Sequence, residues 1–151
     1  MDDHRAIENL LYRYAECLDD GDLEAVAALF HKGQIVSSAM PGAAVGEAGV
    51  LAMYQASTRL YPETGTPCTQ HVVSNPIIEL ADSGLTAIGR SRFTVMQAVP
   101  GMALQPIITG RYRDAFGKDN GEWFFTEREM IPELLGDLSQ HLLFSENKLQ
   151  S

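Results

Sequence analysis

Three side chains in this sequence are of the right types to move a proton between them. His71 sits in the strand-like run Thr69-Gln70-His71-Val72-Val73-Ser74-Asn75, and Tyr14 and Asp19 lie five residues apart far upstream. Histidine is the side chain that titrates nearest neutrality. A carboxylate on one ring nitrogen fixes which nitrogen is left to act as base. Asp19 falls at the end of an amphipathic helical stretch, where a negative charge meets the negative end of the helix dipole at a cost of roughly 0.3–1 kcal/mol. Asp20 shares that defect and reads as a solvated helix end, whereas Asp22 reads as the N-cap of a following helix. Tyr14 and Asp19 are separated by about one and a half helical turns, so they do not share a face. A bend at the helix end, or a pocket wrapped around it, would be needed for both to reach one ligand. Taken singly, Tyr14 reads as a core tyrosine and His71 as a structural histidine. Arg128, in Trp123-Phe124-Phe125-Thr126-Glu127-Arg128-Glu129, shares a face with Phe124 and Thr126 by strand alternation, which puts its guanidinium at a pocket wall. Arg90, Arg92, Arg111 and Arg113 read instead as alternating charged rows on strand surfaces. His4, His31 and His141 fall near termini or helix ends and receive no role.

The elements that must position these residues follow from periodicity. Ile7, Leu10, Leu11, Tyr14, Ala15 and Leu18 repeat at helical spacing, which predicts a helix over roughly residues 3–20 with Gly21 as its stop. A second helix is expected over roughly 23–30 behind Asp22, with Val26, Leu29 and Phe30 inward. A short strand at about 34–38 is expected to break at Met40-Pro41-Gly42, and a third helix spans roughly 47–60 before Tyr61-Pro62. Four long strands follow, at about 67–80, 85–98, 104–117 and 121–132, joined at Asp82-Ser83-Gly84, Pro100-Gly101 and Gly117-Lys118-Asp119-Asn120-Gly121. Pro76 inside the first of them implies a bulge or an edge position. The stretch from Pro132 to about Leu143 is expected to form a last short helix or a docking arm. Helices first and strands later give an α+β fold, a cone of curved antiparallel sheet wrapped around helices.

The 151 residues read as a single domain, 1–151, with 45% hydrophobic residues and enough chain for a real core. A net charge of −9 offers no basic footprint, so nucleic acid and anionic membrane surfaces are not expected partners. Cys17 and Cys68 read as buried or half-buried thiols rather than a disulfide or a metal pair. The acidic start Met1-Asp2-Asp3-His4-Arg5 lacks an apolar leader, and a cytoplasmic location is expected. No metal-ligand spacing, nucleophile elbow, P-loop or dinucleotide glycine pattern is present, so neither metal nor organic cofactor is expected.

Over nearly its whole length the chain resembles a SnoaL-like member of the nuclear transport factor 2-like superfamily. The resemblance rests on Ile7-Glu8-Asn9-Leu10-Leu11-Tyr12-Arg13-Tyr14-Ala15 running to Asp19-Asp20-Gly21-Asp22, on Ala28-Leu29-Phe30, on Thr69-Gln70-His71 and on Gly121-Glu122-Trp123-Phe124-Phe125. It implies three helices and a strongly curved sheet around a deep pocket, as a homo-oligomer with a trimer ahead of a dimer. Scytalone dehydratase carries an aspartate and a histidine matching Asp19 and His71. Its second pocket histidine falls at about Gln97, and its pocket serine and asparagine fall near Gly110 and Tyr112. Hexachlorocyclohexane dehydrochlorinase adds an arginine similar to Arg128, and bile acid 7α-dehydratase a tyrosine matching Tyr14. Steroid isomerases need a carboxylate where Ser37 and Ser38 stand.

The resemblance implies a cofactor-independent lyase that removes water, or halide, from a small hydrophobic cyclic substrate. His71 would be the base, Asp19 its holder, Tyr14 the donor to a substrate oxygen and Arg128 the stabiliser of negative charge. Leu18, Tyr54, Val73, Phe93, Tyr112 and Phe124 are expected to line the pocket, with Asn75 and Gln97 as polar anchors. The alternatives are a non-catalytic ligand-binding or assembly subunit, like the β subunits of ring-hydroxylating dioxygenases, or an isomerase or cyclase.

Overall fold

The computed structural model describes residues 1–144. Helix α1 spans Asp3–Asp19, and Asp2 caps it by accepting the Arg5 amide at 2.9 Å. All six residues of the expected stripe are buried. Helix α2, Leu23–Ala28, begins behind Asp22, whose side chain accepts the Ala25 amide at 3.0 Å. Strand β1 is Gln34–Ser37 and helix α3 is Gly46–Ser57. The long strands are β3 (Thr69–Leu80), β4 (Thr86–Val99), β5 (Met102–Asp119) and β6 (Glu122–Leu135).

Two expectations change. Met40-Pro41-Gly42 does not end the sheet: Met40–Val45 forms β2, antiparallel to β1. Proline is tolerated there because β2 is an edge strand, with one side of its backbone unpaired. Helix α3 ends at Ser57 rather than near residue 60, because Thr58 turns extended and forms a bridge with Leu142.

The strands lie in the order β2-β1-β6-β5-β4-β3, with β1 and β6 parallel and every other pair antiparallel. The sheet curls around the helices without closing, so β2 and β3 are its two edges. Pro76 lies at a register shift in the edge strand β3, as a residue without an amide donor requires. The core is one cluster, with Ile7, Leu11, Phe30, Ile35, Ile107 and Phe125 at its centre. After β6 the chain forms a docking arm rather than a helix: Gly136 donates its amide to Ile107, and Leu138 is buried. Among the described residues, no helix is long and apolar enough to cross a membrane.

Helix α1 is tied at both ends. At its start Asp3 accepts from Trp123 Nε1 at 2.8 Å and pairs with Lys118 Nζ at 2.9 Å. At its end Gly21 takes φ +75°, a conformation that glycine adopts without a steric penalty. A Cβ on Gly21 would lie 2.1 Å from the Gly65 carbonyl oxygen. Gly21→Ala is therefore expected to cost on the order of 1–3 kcal/mol from the backbone alone, and more from the collision, read as a lowered urea midpoint.

Candidate active site

The end of α1 meets edge strand β3 through one carboxylate. An edge strand presents amides with no strand to receive them. Asp19 Oδ2 accepts that of His71 at 2.8 Å, and Oδ1 accepts the Thr69 hydroxyl at 2.9 Å. Asp19 Oδ1 also lies 2.6 Å from His71 Nδ1. A carboxylate can only accept from that nitrogen, so a proton is assigned to Nδ1, and in the neutral ring it is Nε2 that keeps the lone pair. The bend sought between Tyr14 and Asp19 is not needed. Tyr14 and His71 face one cavity, and Asp19 stands behind His71.

That cavity has a volume of about 370 Å³ and is partly open to solvent. Most of its wall is apolar, with Leu18, Met53, Phe93, Val95, Ile108 and Leu138 prominent. Its polar side chains are few: Tyr14, Tyr54, Tyr112, Ser37, Ser57, Thr58, His71 and His141. The Tyr14 and Tyr54 hydroxyls hydrogen-bond each other, and Tyr14 also contacts the Met130 sulfur at 3.6 Å. Burial raises both phenols, so both stay protonated donors, and the Arg128 guanidinium pulls Tyr14 partly back down.

Arg128 is not at the cavity wall. It is completely buried beneath it, bonded to Asp114 through Nε–Oδ1 at 2.8 Å and through a second nitrogen, Nη2–Oδ2, at 2.9 Å. Its guanidinium carbon stands 3.6 Å from the Tyr112 ring centre and 4.3 Å from that of Tyr14. Burial opposes its charge, but the Asp114 carboxylate outweighs burial and holds it firmly protonated. The expected face was wrong because β6 carries a bulge. Phe116 pairs with Phe125 but Ala115 pairs with Glu127, so Thr126 is skipped and the inward phase passes from Trp123 and Phe125 to Arg128 and Met130. Phe124 therefore turns away from the cavity and packs under Lys32 Nζ, 5.1 Å from its ring centre.

Three further expected residues fall elsewhere. Asn75 is exposed, because the bulge at Pro76 puts it at φ 42° and out of phase with His71. Val73 packs on the core beside its partner Phe93 without reaching the cavity lining. Gln97 is buried behind that lining and donates to the Pro67 and Gln140 carbonyls at 3.0 and 3.1 Å. Leu18, Tyr54, Phe93 and Tyr112 do line the cavity.

Sequence reasoning gave no place to Asp114, because an unbulged hairpin sets it against Glu127 rather than Arg128, and none to His141. The docking arm brings the His141 ring to 6.4 Å from that of His71, centre to centre. Among the described residues, no three His, Cys, Asp or Glu side chains converge as metal ligands.

Residues 1–129 match the SnoaL-like domain family. The chain belongs to that family. No functionally curated protein matches this SnoaL-like chain. Among solved structures, it is similar to a nuclear transport factor 2-like protein with a cystatin-like fold from Novosphingobium aromaticivorans, at 22% identity and a TM-score of 0.72, over 86% of this chain and 81% of that one. A candidate scytalone dehydratase from the same organism is 26% identical with a TM-score of 0.69, over 89% and 86% of the two chains. ActVI-ORFA from Streptomyces coelicolor is 16% identical with a TM-score of 0.69, over 86% and 96%. Part of the SnoaL-like cavity wall, from Met130 to the arm, lies beyond the family match.

Two stability measurements check this geometry. Asp114→Ala leaves a buried cation unpaired and is expected to cost about 3–5 kcal/mol in urea unfolding, while Asp114→Leu with Arg128→Met recovers most of the loss. Burial, and then the charge of His71, lower His141 from 6.5 to about 4, with Asp19 opposing. Between those values the unfolded chain binds a proton that the folded protein refuses. Neutral His141 thus contributes fully above pH 6.5, and the contribution is lost as pH falls to about 4. His141→Phe is expected to flatten the melting temperature across that window.

Proposed function

We propose that the protein is a cofactor-independent lyase, removing water from a small cyclic β-hydroxy ketone by β-elimination. The observation that carries this reading is the Asp19–His71 pair set behind a largely apolar cavity that also presents paired phenols. His71 Nε2 takes the proton next to the carbonyl. Asp19 holds the ring in the tautomer that permits this and stabilises the imidazolium that results. In the phenol pair one hydroxyl donates to the other, and the proton that remains free receives the carbonyl oxygen and stabilises the negative charge that grows there. Arg128 acts through Tyr14 rather than on the substrate: its charge under the Tyr14 ring makes the phenol a stronger donor.

The cavity volume suits a bicyclic or similar compound, and its apolar wall suits a hydrophobic one. The candidate scytalone dehydratase among the similar structures supports the same reaction class.

3-Hydroxy-1-tetralone, which loses water to give 1-naphthol, is a direct probe. Its turnover is expected to fall about 10²–10⁴-fold in His71→Ala, the range of a lost acid–base group, with the melting temperature nearly kept. Near-normal turnover by that variant would reject the base assignment. A wild-type protein that binds the probe without converting it would instead be a binding module.

A further inference from the structure

We propose that His141 is a second catalytic residue, its imidazole donating a hydrogen bond to the oxygen that leaves. This rests on the lyase reading above. The backbone around His141 is pinned from several sides. Arg59 donates its amide to the His141 carbonyl at 2.9 Å, and the His141 amide donates to Leu138 at 3.1 Å. Tyr61 and Gln97 both donate to the Gln140 carbonyl, at 2.5 and 3.1 Å. Leu143 donates to Ser57 at 3.0 Å.

The ring is treated differently. Its Nδ1 is sealed from solvent with no hydrogen-bond partner among the described residues, whereas the His71 ring is held by Asp19. An imidazole kept for packing alone would be costly, since an apolar side chain fills space without stranding a polar atom. With Nδ1 sealed, the proton belongs on Nε2, where a ligand can accept it. Burial keeps the ring neutral at ordinary pH, so it offers one N–H and no charge.

The spacing fits a shared oxygen. The rings of His71 and His141 are 6.4 Å apart between centres and tilted by 67°. One oxygen hydrogen-bonded to a nitrogen of each ring at about 2.8 Å would span such a gap. In the reaction His71 Nε2 takes the C–H proton, and the C–H electrons become the new C=C bond. The C–O bond to the β carbon breaks, its electron pair leaving on oxygen. That oxygen takes the proton back from His71 and departs as water. His141 begins and ends neutral, holding the oxygen while its charge grows.

Two probes separate the steps. 3-Hydroxy-1-tetralone reports elimination through the absorbance of 1-naphthol. 1-Tetralone has no hydroxyl to lose and reports proton removal alone, as deuterium uptake beside its carbonyl in D2O followed by NMR. His141→Ala is expected to slow elimination about 10²-fold or more, the scale of a lost charge-stabilising donor, and to leave deuterium uptake within about threefold of wild type. His141→Phe, which keeps the bulk of the ring without its nitrogens, is expected to do the same and carries the test if the alanine variant fails to fold. His141→Gln, which restores a donor, is expected to recover part of the elimination. Equal losses with both probes, or no loss of elimination, would overturn the assignment while leaving the base reading intact. His71→Ala should lose both reactions. A wild-type protein inert toward both probes would remove the lyase reading and this role with it.

Discussion

The contact on which this structure turns is the Asp19 carboxylate against the first residues of β3. It receives a backbone amide, a hydroxyl and an imidazole within 2.9 Å, all from the stretch Thr69 to His71. The position is unfavourable for a lone carboxylate, at the negative end of a helix dipole. Three donors from an edge strand offset that. The same bonds solve a problem of the strand, whose outer amides have no neighbouring strand to receive them. Gly21 then reverses the chain at once, so the helix cannot run on past the junction. The tie between helix and sheet and the setting of the His71 ring are therefore one interaction. Disturbing Asp19 moves both, which is why His71 rather than Asp19 is the cleaner place to question the chemistry.

A second constraint lies under the cavity floor. Burying a guanidinium and a carboxylate costs several kcal/mol for each ion, and apolar side chains of similar size often do as well or better for stability. The Arg128–Asp114 pair is thus poorly explained as a stabilising device. The pair is oriented, with its cation facing the aromatic rings of Tyr14 and Tyr112. It is a fixed dipole whose positive end meets the phenol that faces the cavity. Preorganised dipoles of this kind require no rearrangement when charge develops on a bound oxygen. The arginine expected at the cavity wall thus stands one layer below it, against the rings of Tyr14 and Tyr112.

Local patterns carried most of the fold. The α1 stripe, the caps at Asp2 and Asp22 and the turns between the long strands depend on nearby residues, and they are legible for that reason. The errors have a common physical origin in bulges. A regular β5–β6 hairpin, counted back from Asp119 opposite Glu122, sets Asp114 against Glu127. One extra residue at Thr126 sets it against Arg128 instead. That single offset moved Arg128 into the interior and Phe124 away from it. At Asn75 a left-handed residue beside Pro76 did the same to a polar anchor. Alternation along a strand is reliable only between bulges, and bulges leave a weak trace in sequence. His141 is illegible for another reason: it sits in an irregular segment placed by contacts with residues far away in sequence, including Gln97, expected as a pocket anchor, which instead holds the arm.

The cavity accordingly has two kinds of wall. The side that holds Tyr14 and His71 belongs to α1 and the sheet, is tied down by Asp19, and lies within the SnoaL-like match. The side that holds Leu138, His141 and Leu142 belongs to an arm beyond that match, fixed by a handful of backbone hydrogen bonds. The base and oxygen-binding phenol of the proposed reaction would have to keep their geometry to within fractions of an ångström, and rigid elements provide that. The groups that meet the rest of a ligand need only be replaceable, which irregular segments tolerate. On the proposed lyase reading, the fold would fix which proton can be taken, and the arm which molecule carries it and what leaves.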